Sequence, residues 1–221
     1  MYRFDSSYRE EVVLADGMVV ILRTVRPQDK ELFRAGLERL SSSSRQSRFL
    51  APRSGFSEPE LRYLTEVDGI DHFAIGAIRH LPGGPVEGVG VGRFVRSSHG
   101  STVAEPAVTV IDEHQGKGLG TVLLHRLVAA ARERGVRSFH CEFLTHNRRV
   151  RALLDAYAGR AVIAHDRDLV TMDFPLPEPR AEERLRDLVR AGPMQGVLRH
   201  AARGGLSLRA PDDDPPSGPG R

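Results

Sequence analysis

The stretch DEHQGKGLGT, residues 112–121, constrains the fold of this chain most, because three closely spaced glycines separate two regular patterns. A run rich in β-branched residues at 103–111 precedes it, and a leucine-rich run with helical periodicity at 119–130 follows it. Glycines at a strand-to-helix turn let the backbone approach a ligand closely, and the first turn of a helix presents unpaired N–H groups. The sequence therefore predicts an anion-binding loop at the start of a helix.

Two common phosphate-binding motifs do not fit this loop. The nucleotide-hydrolase motif requires G-x-x-x-x-G-K-[ST], but Gly118 follows Lys117, and no glycine lies five residues ahead of Gly116. The dinucleotide fingerprint G-x-G-x-x-G also fails, because the third glycine comes one position too early. The pattern that fits is [QR]-x-x-G-x-[GA] between a strand and a helix. The predicted phosphate-binding residues are Gln115, Gly116, Lys117, Gly118, Leu119, Gly120 and Thr121.

This loop resembles the pyrophosphate-binding loop of the GNAT superfamily of acyltransferases, and the order of predicted elements agrees with that family from about residue 14 to residue 174. Two segments, residues 22–52 and 104–121, resemble bacterial protein-lysine acetyltransferases of the Pat type. The resemblance implies an α/β (α+β) GNAT fold. Its central sheet is expected to be mixed and mostly antiparallel, with helices on both faces and a V-shaped opening between central strands.

The resemblance also implies acetyl-CoA, or another short acyl-CoA, as the acyl donor. Backbone groups of Ala107, Val108 and Thr109 are expected along its pantetheine arm, and Asn147 matches an asparagine that commonly contacts the cofactor in this family. A strand N–H near Val108 would polarise the thioester carbonyl. The expected reaction is transfer of an acetyl or short acyl group to an amine acceptor, with a protein lysine favoured over a small-molecule amine.

The expected general base is Glu105, which lies ten residues before Gln115 and has the spacing of the base in the Pat-like branch. A free lysine has a pKa of about 10.4, so less than about 0.1% is neutral at pH 7, and a base is useful. Pro106 is expected to interrupt the strand beside it. The tyrosine that many GNAT enzymes place after the asparagine is replaced by Leu154, with Tyr157 one turn later. A non-catalytic acyl-CoA sensor or scaffold is therefore the alternative.

Other conspicuous segments favour structural interpretations. GVGVGRF, residues 88–94, alternates glycine with valine and precedes no helix, so it predicts a strand on which another element packs closely. In HCE, residues 140–142, His140 and Glu142 share one face of a strand and Cys141 points to the other, so no metal site is predicted. The arginines of RERGVR and NRRVR are interpreted as solvated, although either group is suited to the 3′-phosphate of coenzyme A.

The net charge, the length of the apolar runs and the cysteine count of the chain limit which partners and which location are expected. The net charge of +3 is mild and spread along the chain, so it argues only weakly for nucleic acid and fits an anionic cofactor equally well, and no nucleic-acid partner is expected. No apolar run reaches the ~20 residues that cross a bilayer, so no membrane partner is expected. Cys141 is the only cysteine, which favours a cytoplasmic location. The oligomeric state is not predicted. The expected organisation is an N-terminal extension at 1–12, a GNAT acyltransferase domain at 13–176, an amphipathic helix at 177–205 and a disordered tail at 206–221.

Overall fold

The computed structural model describes residues 3–50, 54–155, 157 and 161–178. In these residues eight strands form one sheet, and five α-helices accompany it. The strands are β1 (Arg9–Val13), β2 (Val19–Thr24), β3 (His72–His80), β4 (Val86–Arg96), β5 (Val103–Val110), β6 (Ser138–Leu144), β7 (Val162–Asp166) and β8 (Leu169–Pro175). The helices are α1 (Lys30–Glu38), α2 (Ser42–Phe49), α3 (Glu58–Thr65), α4 (Leu119–Glu133) and α5 (Arg148–Leu154).

The strand order is β1-β2-β3-β4-β5-β6-β8-β7, and every neighbouring pair is antiparallel except β5 and β6, which are parallel. A parallel pair needs a crossover connection, and α4 supplies it. The predicted mixed, mostly antiparallel sheet is confirmed. The predicted helix at 177–205 and the predicted tail at 206–221 lie outside the described residues, apart from residues 177 and 178.

Local sequence signals explain where the N-terminal elements begin and turn. The Asp16 carboxylate accepts a hydrogen bond from the Met18 N–H at 3.1 Å, which closes the predicted turn between β1 and β2. The polar run at residues 41–44 begins α2. There the Ser41 hydroxyl accepts from the Ser44 N–H at 3.2 Å. Side chains that bond free backbone amides in this way define where a helix starts.

Helix α3 begins with the predicted capping box. The Glu60 carboxylate accepts from the Ser57 backbone N–H at 2.7 Å, and the Ser57 hydroxyl donates to the same carboxylate at 2.7 Å. The helix then buries Leu61 and Leu64 against the sheet. This pairing of a cap and an apolar face explains why the sequence pattern predicted the helix correctly.

Glycines on β4 let helices lie close to both faces of the sheet. A Cβ at Gly90 would lie 3.1 Å from a methyl of Leu123 on α4, and a Cβ at Gly88 would lie 3.5 Å from Leu32 on α1. These two glycines face opposite sides because Val89 is an extra residue in the β3–β4 ladder, where Ala77 pairs with Gly90 and Ile78 with Gly88. The predicted strand is confirmed, and the bulge explains how one face receives α4 and the other α1.

Four buried phenylalanines fill the core where β5 and β6 are still paired. Phe73, Phe94, Phe139 and Phe174 form a chain of ring contacts with centroids 5.7, 6.3 and 5.9 Å apart. Each fully buried ring contributes about 1.5–3 kcal/mol through removal of apolar surface from water. This packing holds β4, β6 and β8 together at one end of the central strands. Among the described residues, none of the helices combines the length and the apolar content that crossing a bilayer requires.

Candidate active site

The central opening of the sheet lies between β5 and β6. The two strands pair only through Val103 with Ser138 and Ala104 with Phe139, so they part beyond Ala104. We call this gap the opening. The predicted site residues on β5, from Glu105 to Thr109, all lie on the stretch that borders it.

The backbone groups of β5 alternate between β4 and the opening. The carbonyl of Val103 and the N–H of Ile111 bond to β4 at 3.3 and 3.0 Å, so the odd-numbered residues of β5 direct their backbone groups to β4. In an antiparallel pair the intervening residues direct theirs to the other side. The backbone groups of Pro106, Val108 and Val110 therefore face the opening. This places the Val108 N–H where the sequence analysis expected a thioester contact.

The expectation that Pro106 interrupts this strand is wrong. Strand β5 is continuous from Val103 to Val110, and Pro106 pairs with Phe94 of β4. The nitrogen of Pro106 falls on the side of the opening, where no ladder bond is made, so the missing N–H leaves the pairing with β4 intact. Glu105 is accordingly presented by an ordinary extended strand.

The backbone of the loop at residues 115–120, which we call the glycine loop, takes a conformation that suits glycine. Gly116 and Gly118 have φ angles of +76° and +88°. A Cβ at either position would meet no atom within 4 Å. Gly118 is the N-cap of α4, and the first bond of the helix runs from the Val122 N–H to the Gly118 carbonyl at 3.1 Å. The amides of residues 119–121 precede this ladder and are suited to an anion.

Gln115 fastens the glycine loop to the end of β5. Its side-chain amide donates to the carbonyl of Val110 at 2.9 Å and to the carboxylate of Asp112 at 3.1 Å. Its side-chain oxygen accepts a hydrogen bond from Arg149. These contacts give Gln115 a scaffolding role in addition to the predicted phosphate contact.

Lys117 ties the glycine loop to the β1–β2 hairpin. Its amine lies 2.9 Å from the carboxylate of Asp16, and its backbone carbonyl accepts from the Ala15 N–H at 3.3 Å. The hydrogen bond from Lys117 lowers the pKa of Asp16 below its usual value. The charge of Lys117 is thus already paired in this conformation, so its contribution to phosphate binding would be a screened one.

Asn147 and Thr109, both predicted cofactor contacts, also have partners within the protein. The Asn147 side chain caps α5 by accepting from the Val150 N–H at 3.1 Å. The Thr109 hydroxyl accepts from Nε of Arg48 on α2 at 3.1 Å. Ala107, Val108 and Thr121 are half-buried beside the opening or at the start of α4.

Glu105 is an exposed side chain at the start of the opening. Strand alternation places it on the same face of β5 as Ala107 and Thr109, which is the face covered by α1–α3. Burial, together with the charges of Glu105 and Asp173, raises the pKa of Cys141 on β6 to about 12. Cys141 is therefore an unreactive thiol.

A cavity of about 90 Å³ lies on the same face of the sheet, between β2–β5 and helices α1–α3. Its walls are mostly apolar. The charged and aromatic residues that line it are Arg23, Asp29, Phe33, Arg48, Phe49, Phe56 and Arg93. The sequence analysis did not select any of these residues. The sequence signal for this surface is Arg93, a charged side chain between glycine and apolar residues of β4.

Tyr157 does not border the opening. Its ring packs 5.1 Å from that of Phe174 and 6.4 Å from that of His125 on α4, so it belongs to the core on the α4 side. Leu154, at the position where relatives carry a tyrosine, is buried too. His140 bonds Asp173 at 2.7 Å. The described residues contain no group of three or more histidine, cysteine, aspartate or glutamate side chains that could hold a metal ion.

Comparisons with known proteins agree with this architecture. A family model described as the acetyltransferase (GNAT) family matches residues 39–159. The chain is 34% identical over 186 residues to the acetyltransferase Pat of Mycolicibacterium smegmatis, an alignment that covers 81% of this chain and 54% of that protein. The chain thus spans about half the length of this curated relative.

Two solved structures give the same result. The GNAT domain of S. lividans PAT superposes with a TM-score of 0.68 and 27% identity, covering 78% of this chain and 99% of that one. YncA of Salmonella typhimurium, solved with its cofactor acetyl-CoA, superposes with a TM-score of 0.53 and 20% identity, covering 72% and 95%. The latter likeness shows the fold alone. With a family model matching more than half of its length, the chain belongs to the GNAT acetyltransferase family.

Proposed function

We propose that this chain transfers an acetyl or short acyl group from an acyl-CoA to an amine, with a protein lysine as the favoured acceptor. The observation that carries the proposal is the opening between β5 and β6, which leads from Glu105 to the glycine loop at the start of α4. Membership of the GNAT acetyltransferase family supports acetyl-CoA as the donor. A cytoplasmic location remains a prediction.

The glycine loop and the open edge of β5 fit the two ends of such a donor. The amides of residues 119–121, the positive φ angles of Gly116 and Gly118 and the absence of atoms around them suit a pyrophosphate. The backbone groups of Val108 and Val110 face the opening and suit an extended arm that carries amide groups. We propose that the cofactor contacts are Ala107, Val108, Thr109, Gln115, Gly116, Lys117, Gly118, Leu119, Gly120, Thr121 and Asn147.

We propose Glu105 as the general base. The donor supplies a thioester carbon that an uncharged amine can attack. Glu105 takes the proton that the amine must lose, either directly or through a water molecule, because an ammonium has no lone pair for the attack. The Val108 N–H faces the opening and donates to the oxygen that gains negative charge. The C–S bond of the thioester then breaks, and coenzyme A leaves as a thiolate that takes a proton from solvent.

The acceptor is the least constrained part of the proposal. The likeness to proteins named Pat favours a protein lysine. A small-molecule amine is the alternative acceptor for the same reaction. A non-catalytic sensor, the other alternative, would bind acyl-CoA without transferring the acyl group. An expected break at Pro106 was one of the two reasons for the sensor, and the continuous strand removes that reason.

The direct test measures release of free thiol from acetyl-CoA with a panel of amines and lysine peptides. We expect thiol release above the hydrolysis rate with at least one class of acceptor, and mass spectrometry then identifies the acylated nitrogen. Calorimetric binding of acetyl-CoA without thiol release from any acceptor would instead support the sensor. Absence of both binding and turnover in the folded protein would exclude both readings.

A further inference from the structure

Arg93 is a buried arginine in the wall of the cavity described above. It projects from β4, and only 4% of its surface is exposed. Its Nη2 donates to the carbonyl of Leu64 at 2.9 Å, its Nη1 lies 3.1 Å from Nε2 of His72, and its guanidinium carbon lies 5.8 Å from the centre of the Phe33 ring. A guanidinium has five N–H donors, and these contacts use two of them.

No carboxylate of the described residues forms an ion pair with Arg93. By contrast, Arg23, a half-buried arginine of the same cavity, lies 2.6 Å from the carboxylate of Asp29. Burial, together with the charge of Arg48, lowers the pKa of Arg93 to about 10. The pKa of its neighbour His72 is lowered to about 4 by burial and by Arg93, so His72 is neutral at pH 7. A buried charge without a counter-charge is costly, which points to an anion that joins it.

The uncompensated charge lies beside the proposed reaction centre. Arg93 pairs across the ladder with Ala107 of β5, on the face that also carries Glu105 and Thr109. Arg48, which bonds Thr109, lines the same cavity. The remaining wall is largely apolar and presents aliphatic and aromatic carbon to an occupant. This surface is therefore suited to a short carbon chain that ends in a negative charge.

We propose that the cavity binds a carboxylate of one of the two reactants against Arg93. The inference rests on the proposed acyl transfer. The carboxylate has two chemical sources: the far end of a dicarboxylic acyl chain such as succinyl, or the carboxylate of an amino acid that acts as acceptor. A dicarboxylic acyl chain is compatible with a lysine acceptor, whereas an amino acid would be the acceptor in place of a protein lysine. A bidentate guanidinium–carboxylate contact accounts for an arginine at this position.

The first experiment uses the unmodified protein and isosteric pairs of ligands. Calorimetry compares succinyl-CoA with its terminal amide, succinamyl-CoA, and, in the presence of coenzyme A, free amino acids with their amides. We expect the carboxylate member of one pair to bind about 10- to 100-fold more tightly, as a charged hydrogen bond of about 1.5–3 kcal/mol implies. The pair that shows the preference identifies the source. Affinities within twofold in both pairs would overturn the inference.

The second experiment assigns the preference to Arg93. Arg93→Gln removes the charge and keeps a donor for the Leu64 carbonyl, and Arg93→Lys restores a charge without the planar fork. The control is Arg62→Gln, an exposed arginine of α3 whose loss changes the net charge equally. We expect the preference to vanish in Arg93→Gln, to persist in Arg62→Gln and to be intermediate in Arg93→Lys. A preference that persists in folded Arg93→Gln places the carboxylate elsewhere and contradicts the inference.

These measurements distinguish a failure of the inference about Arg93 from a failure of the proposed acyl transfer. If Arg93→Gln does not fold, Arg48→Gln is compared with the unmodified protein, and an unchanged preference counts against the cavity. If no donor and acceptor pair releases thiol, the proposed acyl transfer fails. A calorimetric preference for the carboxylate would then still establish the cavity as an anion site.

Discussion

At the scale of single residues, the structure divides the candidate site into positions that sequence spacing could predict and positions that it could not. The glycine loop was predictable because the backbone conformation itself demands glycine at residues 116 and 118. The contact of Gln115 with Arg149 was not, because these two residues lie 34 positions apart in the sequence and meet only in the folded chain. Arg93 was missed because only the structure shows that no carboxylate of the described residues pairs with it.

The role of Glu105 is tested by Glu105→Gln, which keeps the size of the side chain but cannot accept the proton. We expect turnover to fall by about 10²–10⁴-fold while acetyl-CoA affinity changes little, because general-base catalysis contributes that much. The loss should shrink as the pH rises, since more of the amine is already neutral. Steady-state rates between pH 6 and 10 measure it.

The control for this substitution is Glu11→Gln, which removes an exposed strand carboxylate on β1, far along the sheet. It should leave the rate and its pH dependence unchanged. A folded Glu105→Gln protein that turns over within a few-fold of the parent assigns Glu105 a structural role instead.

At the scale of elements, the strand before the glycine loop and the helix after it agree with the sequence prediction, because the apolar period changes from that of a strand to that of a helix across the three glycines. The periodicity of the sequence could not predict the extra residue at Val89. Because of this residue, Gly88 faces α1 while Gly90 faces α4. The expectation for Pro106 failed for a related reason. Whether a proline breaks a strand depends on which side its nitrogen faces, and that is set by pairing with β4.

The substitution Gly118→Val tests whether the glycine loop binds acetyl-CoA, and Gly100→Val is the matched control. Both glycines have positive φ, +88° and +69°, and a Cβ at either would meet no atom within 4 Å. Both substitutions should therefore cost a similar strain, about 1–3 kcal/mol of stability. Only Gly118→Val is expected to weaken acetyl-CoA binding, by at least about tenfold, measured by calorimetry well below both melting temperatures. Equal affinities in the two variants would show that the pyrophosphate binds elsewhere.

At the scale of the whole molecule, long-range ion pairs join the first strand to the crossover helix. Arg126 of α4 donates through Nε to the Glu10 carboxylate of β1 at 2.6 Å, and the Tyr8 hydroxyl donates to the same carboxylate at 2.6 Å. The hydrogen bonds from Arg126 lower the pKa of Glu10 to about 2. No local pattern predicts this contact, because its partners are separated by 116 positions in the sequence.

The Glu10–Arg126 pair predicts a specific loss of stability in acid. The folded pKa is lower than the unfolded value of about 4.5, so the contribution is fully present above pH 4.5 and is lost as the pH falls towards 2. Glu10→Gln should therefore lower the melting temperature by a few degrees at pH 7, and the difference from the parent should narrow below pH 4.5. Thermal unfolding from pH 2 to 7 measures this, with Glu11→Gln as the control. A difference that is constant over this range would contradict the assignment.

The opening between β5 and β6 leaves part of a strand edge without a partner strand. Unpaired strand edges usually recruit other strands, and natural sheets protect them. Here an unpaired edge lies in the middle of the sheet, where β6 and the crossover helix restrict a foreign strand. An acyl-CoA along Val108 and Val110 would act as a removable partner strand. Its presence at 100 times its dissociation constant would stabilise the fold by about 2.7 kcal/mol, so the supply of donor would set how firmly the two halves of the sheet are joined.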